Sequence, residues 1–157
     1  MLINEETTMA GLYFEEFSVG QKIITVGRTI SEDAIFTFAG LTGDYNEIHT
    51  NAEFSRKTQF GRRIAHGLLG LSVATGLIMR TGFLEGTVLA FREINEWKFI
   101  KPFFIGDTLT AELSVTETKV LPRIGGGSIT ATIVVKNQGD EICQRGSLNL
   151  LVLSKPK

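Results

Sequence analysis

His66-Gly67-Leu68-Leu69-Gly70-Leu71-Ser72-Val73-Ala74-Thr75-Gly76-Leu77-Ile78-Met79 offers a helix no polar face. Leu68, Leu69, Leu71, Val73, Ala74, Leu77, Ile78 and Met79 spread round the whole wheel, and a helix that is apolar all round is buried on all sides. Gly67, Gly70 and Gly76 each cost about 1 kcal/mol of helix propensity against Ala, so their presence predicts close approach of other backbone. The run falls short of the roughly 20 residues that cross a bilayer and is flanked by His66 and Arg80. It reads as the central helix of a folded domain.

Downstream of that helix the pattern changes to β. Thr87 to Ile100 is a long run interrupted by Arg92 and Glu93, and Pro102, Gly106 and Asp107 break it off. Leu109, Ala111, Leu113 and Val115 then alternate with polar residues, as in a strand buried on one face. Ile129, Ala131, Ile133 and Val135 repeat the alternation. Asn137-Gln138-Gly139-Asp140 predicts a hairpin turn into a last strand over Ile142 to Leu153. Gly125-Gly126-Gly127 reads as a flexible turn. It lacks the surroundings of a phosphate-binding loop.

Upstream, Lys22 to Ile30 is rich in β-branched residues and predicts one strand. Ser31 is a helix N-cap, with Glu32 and Asp33 well placed in the first turn. That helix stops between Gly40 and Gly43. A turn-rich loop holding Asp44 and His49 follows, and Asn51 caps a short helix reaching Lys57. The order is strand, helix, loop, buried helix, then about four antiparallel strands. This is an α+β pattern that one curved antiparallel sheet wrapped around one long apolar helix satisfies, with a second subunit or the sheet's own curvature covering the helix's far side.

At 157 residues, 43% hydrophobic and 21% charged, the chain reads as one domain with a normal core. Residues 1–12 read as an N-terminal tail and 13–157 as the domain. The net charge is −1 and no long basic run is present, which argues against nucleic-acid or membrane-surface binding. The N-terminus carries Glu5 and Glu6 and has neither a secretory nor a transit pattern. A single cysteine, Cys143, permits no intramolecular disulfide and fits a reducing compartment. It reads as a small strand side chain, and the expected localisation is cytoplasmic.

The chemistry concentrates in Gly43-Asp44-Tyr45-Asn46-Glu47-Ile48-His49 and Ala65-His66-Gly67-Leu68-Leu69. An Asp and a His in one loop can share proton transfers, and an amide at a helix N-terminus can stabilise a developing oxyanion. Adding or removing water next to a carbonyl needs both. The two stretches resemble the MaoC-like, hydratase-2 group of hot dog-fold proteins, which includes the (R)-specific enoyl-CoA hydratases. Tyr13 to Gly20 and Phe99 to Leu109 extend the likeness to about residues 13–153.

The resemblance implies a hot dog fold and a homodimer or a dimer of dimers. It implies that Asp44 and His49 hold a water against the enoyl double bond, either acting as base or acid in a coupled pair. By the same resemblance Asn46 is the motif's asparagine, the Gly67 amide binds the thioester oxygen, and Thr75 stands where some members have a serine bonded to the catalytic aspartate. Two departures involve no reacting group: Glu47 and Arg63 stand where proline is common.

The implied activity is a hydro-lyase, a reversible hydratase/dehydratase acting on enoyl-CoA or 3-hydroxyacyl-CoA. No cofactor is implied beyond the coenzyme A of the substrate, and no metal is expected. His66 reads as structural, capping the buried helix or lining the site entrance. Arg62 and Arg63, with Arg56 and Lys57, form either a solvated basic face or a contact for coenzyme A phosphates. Two other readings stand beside this one: a hot dog acyl-CoA thioesterase, and a non-catalytic acyl-CoA-binding subunit.

Overall fold

The computed structural model describes residues 11–156. Six strands form one antiparallel sheet: β1 (Lys22–Ile24), β2 (Arg28–Thr29), β3 (Val88–Phe99), β4 (Thr108–Leu121), β5 (Gly126–Lys136) and β6 (Ile142–Leu153). The order across it is β1-β4-β5-β6-β3, with β2 also paired to β4. The helices are α1 (Glu32–Thr42), α2 (Glu47–Thr50), α3 (Ala52–Arg56) and α4 (Gly67–Met79).

α4 is the expected central helix. Leu69, Val73, Ala74, Leu77 and Ile78 enter one core cluster with Leu109, Leu113, Ile129, Ile133 and Leu148 of the sheet. Each large aliphatic buried there contributes about 1.5–3 kcal/mol, which outweighs the glycine cost. The expected close approach of backbone is corrected: at two of the three glycines the close neighbours are side chains. A Cβ at Gly67 would stand 2.8 Å from the Phe99 ring, and one at Gly70 would stand 2.4 Å from Gln144 Nε2. At Gly76 a Cβ would meet nothing within 4 Å. The expectation of burial on all sides is corrected in the same way: Leu68, Ser72, Gly76 and Met79 form an exposed stripe on the single chain.

Three further expectations change. Lys22–Ile30 is two short strands rather than one, separated where Thr25 turns inward and its hydroxyl accepts from the Ala111 amide at 2.9 Å. Of the three glycines read as a flexible turn, only Gly125 turns the chain, at φ 63°. Gly126 and Gly127 lie buried in β5, where a Cβ would strike the Val152 carbonyl at 2.0 Å and the Phe14 ring at 2.2 Å. Of the tail expected over residues 1–12, residues 1–10 lie outside the described residues. Gly11 and Leu12 are tied to the body by N–H groups that donate to the carbonyls of Glu85 (3.0 Å) and Phe83 (2.8 Å). Cys143 is buried in β6.

The segment before α4 is stitched in place at both ends. α1 begins with the Ser31 hydroxyl accepting from the Ala34 amide and ends at Gly43, φ 79°, in the left-handed conformation that glycine adopts without penalty. Ile64 donates to the Ile48 carbonyl at 3.1 Å, and Ala65 to the Phe103 carbonyl at 2.7 Å. The loop of residues 44–66 is therefore fastened to its own start and to the segment after β3.

Candidate active site

Asn46 starts α2, its side-chain oxygen accepting from the Ile48 amide at 3.2 Å. That cap places His49 in a single turn of helix, buried, with Nδ1 2.8 Å from the Ile64 carbonyl. A carbonyl only accepts, so Nδ1 carries the proton and the neutral ring presents its lone pair at Nε2. Burial holds the His49 pKa below its ordinary value by disfavouring the imidazolium; the Ile64 carbonyl opposes this, the His66 ring adds to it, and Asp44 opposes it.

Asp44 follows the left-handed Gly43, and its Oδ1 accepts from the Asn46 amide at 3.2 Å. Its carboxylate is half exposed. One polar side-chain atom from each of Asp44, His49 and His66 lies within 4.8 Å of the other two.

The His66 and His49 rings stack with centroids 3.8 Å apart. His66 Nε2 donates to the Asp44 backbone carbonyl at 2.9 Å, while its Nδ1 is buried without a partner among the described residues. His66 thus holds the Asp44 loop against α4. Its side chain does not cap the helix, which corrects one of the two roles expected for it.

Gly67 is the first residue of α4, and its N–H has no acceptor among the described residues, as expected for the first turn of a helix. A cavity of about 630 Å³ opens beside it. Its wall is largely hydrophobic, formed by Ile48, Phe60, Leu68, Phe99, Ile100 and Phe103 among others, with His49, Gly67 and Gln144 contributing polar groups. Asp44 is not part of that lining and joins the site through its approach to His49 and His66.

The remaining expected residues fall less centrally. The Thr75 hydroxyl donates to the Ser72 carbonyl at 2.9 Å within α4, so the bond to Asp44 that the resemblance implies is absent from the single chain. Arg63 is ion-paired with Glu32 and largely buried, which removes it as a free phosphate ligand. Arg62 lies over the Phe104 ring at 3.9 Å, in a neighbouring polar hollow that shares Lys101 and Pro102 with the main cavity. Glu47 accepts from Asn51 Nδ2 at 2.9 Å and fastens α2 to α3.

Phe60, Phe99, Ile100, Phe103 and Gln144 are the site residues that reading the sequence missed. Gln144 carried no clear signal, since its strand also holds Arg145, Ser147 and Asn149; only the fold shows that it is 2% exposed.

An antiparallel sheet packed on one central helix, with carboxylate, imidazole and helix amide gathered at an apolar cavity, is a hot dog domain. A double hot dog protein from Mycobacterium tuberculosis, 20% identical, superposes on 94% of the chain and 46% of its own length with a TM-score of 0.82. The model of the MaoC like domain matches residues 15–138, and the chain belongs to that family. An (R)-specific enoyl-CoA hydratase of Rhodospirillum rubrum is 36% identical over 104 residues, 66% of this chain and 69% of that one. A 3-hydroxybutyryl-CoA dehydratase of Methylorubrum extorquens is 32% identical over 144 residues, 92% of this chain and 86% of its own. The structure named as a monoamine oxidase regulatory protein from Archaeoglobus fulgius is 36% identical, with a TM-score of 0.87 over 95% of this chain and 99% of that one.

Proposed function

We propose that the protein is an (R)-specific enoyl-CoA hydratase, running equally as a 3-hydroxyacyl-CoA dehydratase. The observation that carries this reading is that His49 and Gly67, whose N–H has no acceptor among the described residues, line one apolar cavity, and that the Asp44 carboxylate approaches the His49 ring. The acyl chain occupies the cavity, and the thioester oxygen meets the Gly67 amide, where the positive end of α4 adds to the donor. Water sits between Asp44 and His49. The pair removes one proton from it as oxygen bonds to carbon 3 and returns a proton to carbon 2, so the net addition is H and OH across the double bond. Enolate charge that develops on the thioester oxygen is held by Gly67.

No redox cofactor and no metal enters this chemistry; coenzyme A comes with the substrate. Arg62 lines the hollow next to the cavity and has no carboxylate partner among the described ion pairs, and it is assigned to the coenzyme A phosphates. The working unit is a homodimer, and its setting is the cytoplasm.

Purified protein should bleach the conjugated thioester absorbance of crotonyl-CoA or a longer enoyl-CoA and give the (R)-3-hydroxy product. Asp44→Asn and His49→Ala should each lower the rate by at least about 10². Full rates in both variants would remove the pair from the reaction. Free thiol release without bleaching would mean a thioesterase, and tight binding without turnover a carrier subunit.

A further inference from the structure

Gln144 is the polar side chain that the proposed reaction leaves without a task. It lies on β6, opposite Phe99 of β3, and is almost wholly buried. Both ends of its amide are engaged. Nε2 donates to the Gly67 carbonyl at 2.9 Å, and Oε1 accepts from the Trp97 indole at 3.2 Å. The orientation is fixed by chemistry, since an indole N–H can only donate and a carbonyl can only accept. Gly70 makes the passage possible, because a Cβ there would collide with Nε2 at 2.4 Å.

Gly67 has no side chain to limit its torsions, and it begins the helix, where backbone order is weakest. A sheet-anchored donor on its carbonyl removes that freedom from one side, and the Phe99 ring against its Cα removes it from the other. We propose that Gln144 is a positioning residue: it locks the Gly67 backbone and so aims the Gly67 amide at the thioester oxygen. The inference rests on the hydratase reading above.

The test uses Gln144→Met and Gln144→Leu, which remove the donor to the Gly67 carbonyl without burying an ionisable group, with Trp97→Phe beside them. Two readouts are taken on the folded dimer fraction: kcat against KM, and the red shift of a bound 2,4-dienoyl-CoA, whose absorption reports polarisation of the thioester carbonyl. The expected result is a fall in kcat of about 10-fold or more with KM within about 3-fold, the pattern of an interaction made in the transition state, together with a smaller red shift per bound probe. Wild-type kcat and shift in the Gln144 variants would overturn the proposal, as would lost activity at an unchanged shift, which marks a purely structural residue. If the wild-type protein itself neither turns over nor shifts the probe, the hydratase reading has failed and Gln144's role falls with it.

Discussion

His49 is the residue whose ionisation state decides what the site can do. Its lowered pKa comes first from burial, so the ring stays neutral, with Nε2 free to accept a proton, at pH values where an ordinary histidine, with a pKa of about 6.5, has begun to charge. The acid limb of the rate profile should therefore lie below that value. Stability should follow the same cause. The unfolded chain takes up a proton at about pH 6.5 that the folded site refuses, so stability falls as pH drops from the ordinary value towards the folded one, and is unaffected above it. Urea denaturation at about pH 7 and about pH 5 checks this: the loss on acidification should be smaller in His49→Gln, and an equal loss would place the titrating group elsewhere. At this scale the sequence was legible where chemistry is local in the chain. Asp44, Asn46 and His49 share one loop, and Gly67 opens a helix. Gln144 lies 77 positions from Gly67, and only strand register brings them together.

At the scale of elements, α2 matters most because it is too short to persist by itself. It has four residues, and its start depends on the Asn46 side chain. Asn46→Ala should cost about 1 kcal/mol in a denaturant titration, as loss of an N-cap does. Activity should fall further than that cost explains, since His49 sits in the same turn. Asn46→Asp keeps the capping oxygen and should restore most of both. Helix caps at Ser31 and Asn51 and the glycine stop at Gly43 could be read directly, because each acts within four residues. The division of Lys22–Ile30 and the strand placement of Gly126 and Gly127 could not. Those depend on Ala111, Val152 and Phe14, partners far away in the chain.

For the whole molecule, the open question in the sequence was what covers the far side of α4, and the fold narrows it to one region. β3 is an edge strand with Leu89, Phe91 and Ile94 exposed, and α4 carries its own uncovered stripe. A long edge with exposed apolar side chains is a template for pairing with another chain, which fits the proposed homodimer. Sedimentation should give a dimer for the native protein, and Phe91→Glu should shift it towards monomer. A native monomer at micromolar concentration would reject this arrangement.

Phe99 closes that same edge strand while its ring lies against Gly67. Whatever seats on the strand therefore also presses on the wall beside the carbonyl-binding amide. Specific activity should depend on how concentrated the protein is: serial dilution in an assay cuvette should lose turnover per chain, and adding back a catalytically dead Asp44→Asn copy should recover part of it.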